Sequence, residues 1–135
     1  MPELAGYVAG PDQGAPGESP DVKATAASTG GTLTVVESVV GQGPPRHVHD
    51  REDECFYVLA GTVTGTFGDT AFEAGPGSFV FLPRGLPHVF RAEGEARLLL
   101  ISVPGGIEHY FGEINQATSV AEQERIGARY GIWVV

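Results

Sequence analysis

From Asp21 onward the chain alternates short β-rich runs with glycine- and proline-rich breaks. VKATAAS and TLTVVESVV flank Thr29-Gly30-Gly31, which predicts a hairpin. After Gly41-Gln42-Gly43-Pro44-Pro45 come CFYVLA, TVTGTF, a Gly68-Asp69 turn and TAFEA. SFVFL follows Gly75-Pro76-Gly77, PHVFRAE follows Pro83-Arg84-Gly85, and ARLLLISV ends at Pro104. Runs this short and this evenly spaced predict an all-β sandwich or barrel. ARLLLISV is apolar without alternation, the pattern of a strand covered on both faces. Beyond Pro104-Gly105-Gly106 the period changes. IEHYFGEI reads as a short helix, and Ser119-x-x-Glu122 as a capping box opening AEQERIGARY, with Gly131 as the stop. One or two helices are therefore expected over about 106–131, leaning on a single domain of 21–135. Residues 1–20, rich in Gly and Pro, are expected to form a flexible arm.

Composition narrows the function. The 135 residues make one domain, and 20 Gly with 10 Pro supply the turns. Eight basic against 17 acidic residues give a net charge of −9, which repels phosphate backbones and anionic lipid. Neither nucleic acid nor a membrane is an expected partner. One cysteine permits no intramolecular disulfide and no Cys-based zinc cage. No apolar run approaches the ~20 residues of a membrane span, and MPELAGYVAGPDQ lacks the basic start of a signal peptide. A cytoplasmic location is expected.

The candidate chemistry lies in the histidines. His47 and His49 stand two apart, so an extended backbone sends both side chains off one face. Glu54 follows before the next strand, and His88 begins another. Neutral imidazoles and a carboxylate suit a divalent first-row metal, with Fe, Mn, Ni, Co, Cu and Zn all acceptable. Gly41-x5-His47-x-His49-x4-Glu54-x6-Gly61 and Gly77-x5-Pro83-x-Gly85-x2-His88 resemble the two motifs of the cupin superfamily. The resemblance runs from about Gly30 to Val103, and departs where Ala92 stands in place of the second motif's usual Asn. It implies a cupin double-stranded β-helix, a jelly-roll barrel, with metal ligands His47, His49, Glu54 and His88, and a homodimer paired through its sheets. GPGSFVFLPRGLPHVF, Arg51-Glu52-Asp53-Glu54 and ARYG further resemble the small quercetin-2,3-dioxygenase-like branch. That branch implies a dioxygenase cleaving a flavonol-like or enolic aromatic substrate with O2, with Glu54 also the catalytic base. A metal-dependent Lewis-acid enzyme (polyketide cyclase, isomerase or lyase) and a non-enzymatic small-molecule-binding cupin are the alternatives.

Strand alternation extends the list. Phe56 and Val58 share the face of Glu54, and Phe90 that of His88, making these three the substrate-wall candidates. Cys55 and Tyr57 fall on the opposite face. Phe79 and Phe81 are expected to face the core. Asp50, Glu52 and Asp53 are expected in a solvated loop, with Arg46 and Arg84 as rim charges. His109, Tyr110, Phe111 and Trp133 are left outside the site.

Overall fold

The computed structural model describes residues 4–135. Its strands are β1 (Val22–Ala24), β2 (Thr34–Val40), β3 (His47–His49), β4 (Asp53–Ala60), β5 (Val63–Phe67), β6 (Thr70–Ala74), β7 (Phe79–Leu82), β8 (His88–Ala92), β9 (Ala96–Val103) and β10 (Ile132–Val134). The helices are α1 (Ala26–Thr29), α2 (Ile107–Ile114) and α3 (Val120–Arg129). The strands form two antiparallel five-stranded sheets, ordered β1-β2-β9-β4-β7 and β10-β3-β8-β5-β6. This is the jelly-roll sandwich expected of the pattern.

Both sheets contribute to one core. Val40, Phe56, Val58, Val80, Leu82, Leu98 and Leu100 come from the first sheet, and Val63, Ala74 and Ala92 from the second. Each fully buried Val, Leu or Phe side chain contributes about 1.5–3 kcal/mol by leaving water. The β5–β6 hairpin closes with Phe67 opposite Thr70, and Gly68 takes φ 55°, the left-handed conformation a two-residue turn requires.

Four expectations change. VKA does pair with β2, Val22 opposite Val36, but the Gly-Gly hairpin turn is replaced by α1. Thr25 caps that helix by accepting from Ser28 N–H, so a cap signal outcompetes the turn reading. β9 alternates after all: Ala96, Leu98, Leu100 and Ser102 are buried while Arg97 and Val103 are exposed. Phe79 and Phe81 point outward, 61% and 53% exposed, whereas Val80 and Leu82 fill the core. Register is the reason. Phe79 pairs with Tyr57 and Phe81 with Cys55, and paired residues share a face. Glu52, expected in solvent, is buried.

The remaining segments pack on this frame. Before Val22 there is no helix or strand among the described residues, but Tyr7 donates to Lys23 O (2.7 Å), Lys23 Nζ to Gly10 O and Gln13 O (2.9 and 2.7 Å), and Ala15 is buried. Both predicted terminal helices form. Ser119 caps α3 by accepting from Glu122 N–H, while the Glu122 carboxylate accepts from Thr118 N–H, so the box closes one residue early. The Glu108 carboxylate ties α2 to the first sheet, accepting from Ala26 N–H (2.6 Å) and the Thr34 hydroxyl (3.3 Å). No helix of the described residues is long and apolar enough to cross a membrane.

Candidate metal centre

His47 and His49 leave one face of β3, and His47 lies opposite His88 where β3 pairs with β8. Glu54 comes from β4 in the other sheet. Three imidazoles from one layer thus meet a carboxylate from the other. One donor atom from each of the four residues lies within 4.8 Å of every other. That spread suits a shared first-row ion, whose Zn–N and Zn–O bonds, for example, are about 2.0–2.2 Å. His49, Glu54 and His88 are buried, and His47 is only partly so, which leaves the solvent approach on its side.

The far nitrogens set the tautomers. His47 Nδ1 faces Pro45 O at 2.8 Å, His88 Nδ1 faces Leu86 O at 3.3 Å, and His49 Nδ1 faces Glu52 Oε1 at 2.5 Å. Oxygen acceptors at these positions place the ring proton on Nδ1 and leave the Nε2 lone pairs directed inward. Glu54 Oε2 then lies 3.3 Å from His49 Nε2 and 3.2 Å from His88 Nε2. Neither contact has hydrogen-bond geometry, and all three buried atoms are without a hydrogen-bond partner among the described residues. Buried lone pairs directed at one another repel, and a cation between them removes the repulsion. The donor set therefore fits a divalent metal ion.

Electrostatics divide the rings. Burial, then the charges of His88 and His49, push His47 down to about 4, against the Pro45 carbonyl that favours its charged form. Its lone pair is therefore available at neutral pH. Burial opposes ionisation of Glu54, but the adjacent His88 imidazole and the charges of the three histidines hold its carboxyl below the usual range. Burial also opposes the charged form of His49. The Glu52 hydrogen bond and the carboxylates of Glu54, Glu52 and Asp50 outweigh it and raise His49.

Of the wall candidates, Phe56 and Val58 are fully buried beside Glu54, and the Phe90 ring lies 4.9 Å from Phe56 and 6.2 Å from His88. The rim arginines are committed rather than free. Arg46 donates to Thr66 Oγ1 and Gly68 O (3.0 Å each), and Arg84 pairs with Asp53 through Nε and Nη2 (3.2 Å each). One residue beside the centre, Glu52, escaped the sequence reading. Glu52 stands three positions after His49 and turns back onto its ring, but Asp50 stands at the same spacing after His47, so the spacing alone does not single it out. Tyr110 lies on α2, its phenol raised by burial and then by the charge of Glu54, while Phe111 packs on the core. A cleft of about 560 Å³ between α2 and α3, lined by Glu113, Glu122, Arg125 and Ile126 among others, lies apart from the four ligands and contains no orphaned buried donor atom.

An antiparallel sandwich that gathers three histidines and a glutamate between its sheets defines a small jelly-roll protein with a candidate metal centre. The chain belongs to the cupin family: the Cupin domain model matches residues 34–104, more than half of it. No curated protein sequence matches it. Among solved structures it is similar to a cupin-2 domain protein from Shewanella frigidimarina, at 24% identity and TM-score 0.53, covering 61% of this chain and 76% of that one. KdgF from Halomonas aligns at 20% identity and TM-score 0.56, over 65% and 79%. Pac13, described as a nucleoside dehydratase, aligns at 20% identity and TM-score 0.52, over 58% and 65%. At these identities the likeness is one of fold.

Proposed function

We propose that the chain is a metal-dependent cupin dioxygenase acting on a flavonol-like or enolic aromatic substrate with O2. The reading rests on the convergence of His49 Nε2, His88 Nε2 and Glu54 Oε2, buried and without partners, together with the motif resemblance. When bound, a redox-capable divalent ion supplies the Lewis acidity and electron exchange that O2 chemistry needs. His47, His49, His88 and Glu54 would hold it. Glu54 also takes the proton of the substrate's enolic hydroxyl, the role the motif resemblance implies for it; its carboxyl is held below the usual range and so stands ionised, an acceptor that is present but weakened as a base. Of the three wall candidates, Phe56 and Val58 are fully buried core that backs the site from behind, and the half-buried Phe90, 4.9 Å from Phe56, is the one whose ring a flat substrate can meet.

The test is an oxygen electrode with the metal-loaded protein and a panel of flavonols and polyketide-like phenols. Oxygen uptake matched to substrate loss is the expected result. Substrate loss without uptake favours the Lewis-acid cyclase, isomerase or lyase. Binding that survives metal removal, with no turnover, favours a binding protein. Glu54→Gln is expected to keep part of the metal and lose turnover; an active variant ends the assignment of Glu54 as base.

The same reading makes the chain a homodimer paired through the outer face of its first sheet. Register lines up Glu37, Leu99, Tyr57 and Phe79 in one row and Val35, Ile101, Cys55 and Phe81 in the next. Tyr57, Leu59, Phe79, Phe81 and Val39 are exposed there. An apolar patch across four strands is larger than a lone surface residue explains. Glu37 and Arg97 pair with each other on that face, so it carries little of the −9 charge that would repel a second copy. The lone, partly buried Cys55 suits a reducing cytoplasm.

A further inference from the structure

We infer that Glu52 is a positioning residue for the metal centre: its carboxylate fixes His49 as the most strongly donating of the three imidazole ligands. This rests on the metal-binding reading above and adds a residue outside the ligand set. Glu52 is 8% exposed, and its Oε1 lies 2.5 Å from His49 Nδ1, whereas the other two rings face neutral backbone carbonyls. Burying a carboxylate is costly unless it is paired. Here the pairing is an Nδ1–H whose ring directs its other nitrogen at the ion site. A cation on Nε2 makes that N–H a better donor, and an anion on Nδ1 makes Nε2 a better ligand. The neutral ring then stands between an anion on one nitrogen and the cation site on the other, and each polarises it in the same sense.

The backbone around Glu52 is built to hold it there. On one side Asp50 N–H donates to Gly131 O (2.9 Å) and Arg51 Nη1 to Arg129 O (2.7 Å). On the other, Asp53 accepts from Arg84 N–H (2.9 Å) and from its guanidinium. β10 closes the support from behind, pairing Ile132 with His49. Gly131 is required at this junction: it takes φ 69°, and a Cβ there would lie 1.8 Å from Asp50 Oδ1. The exposed residues of the loop are thus anchored to α3 and to β10's lead-in, and Glu52 alone turns inward onto the ring.

The experiment measures Zn²⁺ affinity of the unchanged protein, Glu52→Ala and Glu52→Gln by competition with a chromophoric chelator. Glu52→Ala is expected to bind about 10–100-fold more weakly. Glu52→Gln, which keeps the shape and an acceptor oxygen but loses the charge, is expected to fall between. In the Zn²⁺-loaded unchanged protein, proton NMR should show a strongly deshielded, slowly exchanging imidazole N–H that is missing in Glu52→Ala. A merely structural role would leave Glu52→Gln at full affinity. If the unchanged protein takes no Zn²⁺, the metal reading itself fails and this inference with it. If it does, and both variants bind as tightly as the unchanged protein, the assignment of Glu52 alone is overturned.

Discussion

At the scale of single residues, the four metal-ligand candidates were legible because their signal is local. A two-residue step along an extended strand sends His47 and His49 to one side whatever surrounds them. Glu52 was not legible. Its burial depends on contacts from Arg129 and Gly131, about 80 positions later, and no local pattern distinguishes it from Asp50, which is exposed. Arg84 is exposed, as expected of a rim charge, but its pairing with Asp53, 31 positions earlier, has no local signal either. His88 is 1% exposed with Nε2 unpartnered, so its removal takes away a ligand and, by leaving a cavity beside Phe90, some stability, while the β3–β8 backbone pairing does not depend on its side chain. His88→Ala is expected to stay folded by circular dichroism and to lose most of its metal by elemental analysis; full retention would remove His88 from the ligand set.

At the scale of elements, turn chemistry and caps were read correctly more often than facing. α2 and α3 stand where the period change and Ser119 put them, and the Gly68-Asp69 hairpin forms. The errors concern which side of a strand is inside. Phe79 and Phe81 were expected inside, yet Val80 and Leu82 take the inner face of β7. The ladder with β4 decided otherwise, because Phe56 and Val58 had already claimed the inner face. β9 misled similarly: Leu99 and Ile101 are apolar yet face outward and are only partly buried, while Ala96, Leu98, Leu100 and Ser102 take the inner face. The attachment of α2 rests on Glu108, which receives the Ala26 N–H and the Thr34 hydroxyl. Replacing a carboxylate in such charge-assisted bonds costs about 1–3 kcal/mol. Glu108→Ala should therefore lower the urea midpoint without changing metal affinity; an unchanged midpoint would show that α2 is held by Ile107 and Phe111 instead.

At the scale of the molecule, the outward apolar rows of β2, β9, β4 and β7 match the proposed pairing of two chains. Placing a charge in their midst should prevent it. Phe81→Glu is expected to leave the fold and the metal intact and to convert a dimer to a monomer by light scattering after gel filtration. A wild-type protein that runs as a monomer at micromolar concentration would contradict the pairing.

The convergence of His47, His49, Glu54 and His88 on one cation is the claim from which the proposed chemistry descends. Anomalous diffraction from crystals grown with Zn²⁺ or Co²⁺ tests it most directly. The account predicts one strong peak per chain within bonding distance of the three Nε2 atoms and a Glu54 oxygen. Crystals that show no peak between the sheets, or only peaks at surface carboxylates, would contradict it.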